Sequence, residues 1–173
     1  CHLPEGLSTY FESSCSEYEQ RIAQCGGNDL QQLGICSDGH IAFNEHGSSL
    51  SSRTRIKALT QQTREDNARI FDSIEEVPEL SVTMGIGTIL EAKKILLLAT
   101  GTGKASAVRA FIEGPVTSQV PASALQLHAN VTVLVDEAAA GWLVRRPYYE
   151  HVEAIQRRLE HTDSDPVEQQ AQN

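Results

Sequence analysis

Four short runs rich in apolar and β-branched residues, 30–36, 80–86, 95–100 and 131–135, alternate along this chain with segments of helical periodicity. Such alternation predicts the α/β class: a mainly parallel, Rossmann-like three-layer sheet with helices on both faces. Residues 8–24 place Phe11, Cys15, Tyr18, Ile22 and Cys25 three or four apart and stop at Gly26-Gly27, the pattern of an amphipathic helix ended by glycine. Thr60 is the expected N-cap of a helix running to about Ser73, and Pro78 marks a loop. Short helices are expected from Thr88 to Lys94, from Lys104 to Glu113 and from Glu137 onward, and a last amphipathic helix from Tyr148 to Leu159. Residues 46–59 are polar and serine-rich. One domain is thus expected over 1–159, with a polar, acidic and disordered tail over 160–173.

A formal charge of −9 argues against nucleic acid and anionic membranes as partners, since both are held by excess Lys and Arg. The longest apolar run, Ile95 to Ala99, is too short to cross a bilayer, so a soluble, cytoplasmic protein is expected. Cys1, Cys15, Cys25 and Cys36 form no C-x-x-C pair and read as buried thiols of a reducing compartment. Against the acidic background stands a basic island of Arg53, Arg55, Lys57, Arg64 and Arg69. It is either a solvated face or a local anion site.

The chemistry concentrates in Ser37-Asp38-Gly39-His40-Ile41-Ala42-Phe43-Asn44-Glu45. Asp38, His40 and Glu45 follow an apolar strand, and open α/β sheets place ligands at the carboxyl ends of their strands. Histidine titrates near neutral pH, and adjacent carboxylates orient its ring and raise its pKa, which outlines a proton-transfer site. Cys36 attacking with His40 as base is an alternative, opposed by the inertness of a thiol at the end of an apolar strand. The loop has no second histidine at helical spacing, so zinc-type clusters are absent from it. Gly85-Ile86-Gly87 lacks the third glycine of a dinucleotide fingerprint, and Gly101-Thr102-Gly103-Lys104 lacks the first glycine and the hydroxyl of a nucleotide P-loop. A lysine at a helix start nevertheless opposes the helix dipole, a cost that a bound anion would relieve.

The run LGICSDGHIAFNEHGSSLSSRTR, with TREDNARIFDSIEEVPELSVTMGIGTILEAKKILLLATG and EGPVTSQVPASALQLHANVTVLVDEAAA further on, resembles glucosamine-6-phosphate deaminases from about Pro4 to about Leu159. The family implies conversion of glucosamine 6-phosphate to fructose 6-phosphate and ammonia in amino-sugar catabolism, a hydrolase reaction at a C–N bond without cofactor. By matching positions His40 would open the pyranose ring, Asp38 and Glu45 would set its charge and orientation, and Arg69 and Lys104 would bind the sugar phosphate. Glu65, four residues before Arg69, could instead pair with it along a helix. Ser48, Ser49, Arg55 and Lys57 match an N-acetylglucosamine 6-phosphate activator site found in hexameric members, which implies a homo-oligomer.

The resemblance also implies a longer protein, because the family's N-terminal phosphate loop and the aspartate that moves a proton between C2 and C1 have no counterpart here. Two positions depart from the family pattern: glycine is expected at Cys36 and proline at His46. A side chain at 36 would crowd the strand end, and loss of proline would loosen Glu45. Three other readings stay open: a non-catalytic sugar-phosphate binding or regulatory module, a 6-phosphogluconolactonase-like hydrolase, and an inactive fragment with an exposed apolar sheet edge.

Overall fold

The computed structural model describes residues 2–6 and 9–163, with side chains to residue 159. Two compact units are present, Cys1–Trp142 and Leu143–Asn173, and the candidate site lies entirely in the first. In chain order the elements are α1 (Phe11–Gln24), β1 (Leu30–Gly34), β2 (Arg55–Ala58), α2 (Gln61–Asn67), β3 (Leu80–Thr83), α3 (Ile86–Leu90), β4 (Lys94–Ala99), α4 (Ala105–Glu113), β5 (Val131–Val135) and α5 (Arg146–Asp163).

A parallel three-stranded sheet in the order β1-β4-β5 forms the centre of the first unit, which bears out the α/β class and its parallel sheet. In register, Leu33 stands beside Leu97 and Leu97 beside Val133, while Leu98 stands beside Gly34 and Leu134. Alternation of side chains across a strand therefore divides the sheet into two faces. One face carries Leu33, Ile95, Leu97 and Ala99, all buried, and the core adds Ile86, Ile89, Val108, Phe111 and Leu125 from the intervening helices and turns. On the other, Leu30, Leu98 and Leu134 are 58%, 36% and 53% exposed.

Local chemistry accounts for the element ends. α1 closes where the Gly27 amide donates to Ile22 and that of Gly26 to Ala23, with Gly26 in the left-handed region at φ 87°. Thr60 caps α2 as expected, accepting from the Thr63 amide. The helix stops at Asn67 rather than Ser73 because the Asn67 amide group donates to the Thr63 carbonyl at 2.7 Å, and a single 3-10 turn, Ala68–Ile70, follows. No helix starts at Glu137, since Asp136 ties down a lone turn there, its carboxylate accepting from the Ala139 amide at 2.7 Å. α3 begins two residues early, at Ile86. Gly85 explains why: a Cβ there would lie 2.1 Å from the Ser52 carbonyl oxygen, so only glycine lets the helix start against that loop. The Gly85-Ile86-Gly87 string is thus a packing device.

Three further expectations are corrected. The serine-rich stretch is not all loop: its end forms β2, which pairs antiparallel with β3 in a separate two-stranded sheet. The cysteines are not uniformly buried; Cys15 is buried, Cys36 half-buried and Cys25 exposed, while Cys1 lies outside the described residues. α5 runs past Leu159 to Asp163, and the rest of the expected disordered tail, 164–173, lies outside the described residues. Among the described residues no helix is long and apolar enough to cross a membrane.

The two faces of β4 predict opposite tolerances. Leu97→Ala should cost about 2–5 kcal/mol in urea unfolding, and Leu98→Ala less than about 1 kcal/mol. Equal losses would contradict the face assignment.

Candidate functional site

β1 and β4 are parallel neighbours, so the loop after β1 and the Gly101–Lys104 turn after β4 leave the sheet at the same edge. The first of these loops, residues 35–48, is held on itself and on its surroundings. The Cys36 amide donates to the His40 carbonyl at 3.0 Å, the Phe43 amide to Thr83 Oγ1 at 3.0 Å, and the Ala122 amide to the Gly39 carbonyl at 3.0 Å. Gly39, at φ 93°, meets Val120 so closely that a Cβ would lie 2.9 Å from its Cγ1. Residues 117–122 therefore lie across the loop, and the Gly47 amide completes the contact by donating to Ser118 at 2.8 Å.

Inside this loop Asp38, His40 and Glu45 come together as the spacing implied. His40 Nδ1 is 2.8 Å from Asp38 Oδ1 and 3.7 Å from Glu45 Oε2. Glu45 is fixed from behind: its Oε1 accepts from the Thr60 amide at 3.1 Å and from Thr63 Oγ1 at 2.7 Å, so the capped start of α2 aims the carboxylate. Its Oε2 is buried and accepts no hydrogen bond among the described residues. His40 is only 2% exposed, far less open than a substrate-facing ring implied by sequence alone. Its surroundings are nonetheless carboxylates as well as hydrocarbon, and its Nε2 is buried without a partner among the described residues. A buried polar atom left unpaired costs on the order of 1–3 kcal/mol, so Nε2 is the ring nitrogen that a further partner would relieve.

The charges support each other. Burial alone would lower the His40 pKa, but the Cys36 thiol, through a hydrogen bond and its charge, and the Asp38 carboxylate raise it to about 9. The Cys36 charge acts only once that thiol is ionised, so at lower pH Asp38 is what holds the imidazole protonated. Burial pushes the Asp38 carboxyl up, and this is outweighed by the hydrogen bond and charge of His40, its backbone amide and the charge of His46, which leave it below the usual carboxylate range. The ligating atoms of Asp38, His40 and Glu45 lie within 4.8 Å of one another, and among the described residues this is the set that could hold a metal. A protonated imidazole already balances the carboxylates there, so the set fits proton transfer better than a divalent ion.

The two departures from the family pattern both end in this loop. Cys36 sits just past β1, half-buried, its thiol near enough to His40 to help raise that ring's pKa. Glu45 is not loosened by the absence of proline, because His46 takes over the anchoring: its Nδ1 donates to the Gln119 carbonyl at 2.5 Å and its Nε2 lies 3.2 Å from Asp38 Oδ2.

The basic island divides into structural and unpaired members. Arg53 is neutralised by Glu19 and Glu91, and Arg64 donates to the carbonyls of Ile74 at 3.1 Å and Val77 at 3.1 and 3.2 Å. Arg55, Lys57 and Arg69 make no ion pair among the described residues. Arg69 is exposed on the turn after α2, and the alternative pair with Glu65 does not form among the described residues; Gln61 donates to Glu65 at 3.0 Å. Lys104 is half-buried at the N-cap of α4, in the turn after β4. Ser48 is buried, Ser49 is exposed with its hydroxyl 3.1 Å from that of Ser51, and Arg55 and Lys57 stand two apart on β2.

Two residues that sequence reasoning missed organise these parts. Asn44, fully buried, donates to the carbonyls of Ile41 and Met84 at 3.0 and 2.9 Å and accepts from Arg55 at 2.9 Å, joining the His40 loop to β2. Asp136 grips the Gly101 amide with both carboxylate oxygens, at 3.0 and 2.9 Å, and so positions the turn that carries Lys104. Asn44 lay in plain view within the motif, but two of its three partners, Arg55 and Met84, are 11 and 40 residues away. A cleft of about 490 Å³ opens along α1 and β2, lined by Phe11, Cys15, Glu19, Thr54 and Arg55 among others; Asp38, His40 and Glu45 do not line it.

The linkage sign follows from the raised His40 pKa. Its contribution to stability is complete below about pH 6.5 and is lost as pH rises through about 9, a change of about 3 kcal/mol. Asp38 acts oppositely, its contribution fading as pH falls through the acid range. Urea midpoints measured from pH 6 to 10 should decline in the parent protein and stay flat in His40→Gln; parallel curves would remove the assignment.

Comparison with known proteins shows the family to which the fold belongs. Residues 2–134 match the family described as glucosamine-6-phosphate isomerases/6-phosphogluconolactonase. A glucosamine-6-phosphate deaminase of Pseudarthrobacter chlorophenolicus is 55% identical over 150 residues, covering 87% of this chain. The chain spans 58% of that relative's length. Among solved structures, a monomeric glucosamine-6-phosphate deaminase, described as a missing link of the NagB superfamily, superposes with a TM-score of 0.79 at 50% identity, over 82% of this chain and 58% of the other. A 6-phosphogluconolactonase of Trypanosoma cruzi superposes with a TM-score of 0.58 at 25% identity, over 76% of this chain and 52% of the other. On the extent of the family match and the shared fold, the chain belongs to the glucosamine-6-phosphate isomerase/6-phosphogluconolactonase family.

Proposed function

We propose that this chain carries the ring-opening site of a glucosamine-6-phosphate deaminase, acting in the isomerisation and deamination of glucosamine 6-phosphate to fructose 6-phosphate and ammonia. The observation that carries the reading is the asymmetry of His40: Nδ1 is held by Asp38 and faced by Glu45, while Nε2 has no hydrogen-bond partner among the described residues. Asp38 fixes the ring so that Nε2 is the atom that exchanges protons. Ring opening needs one proton delivered to the pyranose oxygen and one taken from the anomeric hydroxyl. A protonated Nε2 supplies the first and, once neutral, accepts the second, so the imidazole ends as it began. Asp38 and Glu45 stabilise the cationic form at the start and finish. No residue of this chain is assigned to the proton transfer between C2 and C1.

Arg69 and Lys104 are assigned to the sugar phosphate. Both are cations without an ion pair among the described residues, and Lys104 stands at a helix N-cap, where a dianion is favoured. Deaminase chemistry is preferred to lactone hydrolysis because the likeness to the deaminase structure is 50% identical against 25% for the lactonase. Ser48, Ser49, Arg55 and Lys57 are assigned to an activating sugar phosphate, supported by the unpaired cations on β2 and by the Arg55–Asn44 bond leading to the His40 loop. This assignment brings with it an oligomer and a cytoplasmic setting.

The test is ammonia release from glucosamine 6-phosphate, run beside hydrolysis of 6-phosphogluconolactone and sugar-phosphate binding. Ammonia release is expected. Binding without ammonia would favour a non-catalytic module, and lactone hydrolysis alone a lactonase. His40→Ala should lower kcat by about 10²–10⁴-fold, whereas Arg69→Ala should raise KM at least about tenfold with a smaller change in kcat. Parent-like kinetics in both variants would sink the residue assignments.

A further inference from the structure

We infer that His46 is a positioning residue of the Asp38–His40 pair, an exposed imidazole that shares the Asp38 carboxylate and thereby sets how firmly the buried ring holds its proton. The inference rests on the proton-transfer reading of His40 and adds a member to that site.

One carboxylate serves two imidazoles. Asp38 Oδ1 lies 2.8 Å from His40 Nδ1, and Oδ2 lies 3.2 Å from His46 Nε2. The other His46 nitrogen, Nδ1, is 2.5 Å from the Gln119 carbonyl oxygen. A carbonyl only accepts, so Nδ1 carries a hydrogen. The carboxylate facing Nε2 also only accepts, so that contact becomes a hydrogen bond when the His46 ring carries both protons. In its charged form His46 therefore draws on the Asp38 charge that holds the proton on His40. In its neutral form it leaves that charge to His40.

Exposure gives the arrangement a direction. The His46 side chain is 42% exposed and that of Asp38 32%, against 3% for His40. Water reaches the outer imidazole and the carboxylate but not the inner ring, so Asp38 and His46 are the polar groups leading from solvent to Nδ1. Titratable groups facing His40 are Asp38, Glu45 and Cys36, and the one facing His46 is Asp38. The segment that covers His46, residues 115–122, contains no charged side chain. A purely mechanical role, tethering the loop to Gln119, would leave the inner ring's titration untouched.

The experiment is NMR titration in the ligand-free protein, following the His46 imidazole in the parent and in His40→Gln, and the His40 imidazole in the parent and in His46→Lys. Near neutral pH the parent's His40 is charged and holds Asp38, so His40→Gln, which removes that charge, should raise the His46 midpoint by about half a pH unit or more. His46→Lys keeps a cation beside Asp38 through the range in which His40 titrates and should lower the His40 midpoint by about as much. A His46 midpoint in His40→Gln within about 0.2 units of the parent, or an unmoved His40 midpoint in His46→Lys, would overturn the inference. Because no substrate is present, the outcome is independent of turnover: the expected shifts in a protein that never releases ammonia would leave this coupling standing and remove the deaminase reading.

Discussion

The hydrogen bond between Asp38 and His40 is the contact on which the site depends, since it places a buried imidazole beside a carboxylate at 2.8 Å and keeps it charged where burial would strip its proton. Burial of a lone imidazole favours the neutral ring. Here the Cys36 thiol and the paired, oriented Asp38 carboxylate reverse that preference. The loop geometry exists to deliver this pair: Gly39 in the left-handed region brings residue 40 back toward residue 38, and the Cys36–His40 backbone bond closes the turn. A side chain at position 39 would strike Val120 and displace the segment that lies across the loop.

Second-layer contacts make the first layer rigid. Glu45 is aimed by Thr60 and Thr63, Asn44 ties the loop to Met84 and Arg55, and Asp136 holds the Gly101 turn. Each of these groups is polar and hydrogen-bonded, and several are buried, so they specify one arrangement rather than merely adding stability. The sheet contributes the common edge from which the β1 and β4 turns emerge, which is where open parallel sheets gather their ligands. Asn44 also gives β2 a direct link to the His40 loop, so a charge bound at Arg55 would act on the far end of the same hydrogen-bonded network.

What could be read from the sequence was mainly local. The parallel strands, the Thr60 cap, the glycine end of α1 and the Asp38-His40-Glu45 grouping all depend on residues within a few positions of one another. The misreadings share a cause of the opposite kind. β2 pairs with a strand more than twenty residues on, Arg53 and Arg64 are consumed by distant carboxylates and carbonyls, and Gly85 is required by a loop more than thirty residues earlier. Cys25 follows helical spacing yet is exposed, because α1 buries only a narrow stripe centred on Cys15.

By itself, then, the sequence determined the alternating elements, the sign of the overall charge and the identity of the three titratable groups at the end of β1, because periodicity, capping and turn chemistry act over short range. Only the tertiary structure decided that His40 would be sealed from solvent, that Asp38 would be divided between two imidazoles, and which of the basic residues would be left unpaired. Those outcomes depend on burial and on donor–acceptor distances between segments far apart in the chain, and such distances have no signature in local composition.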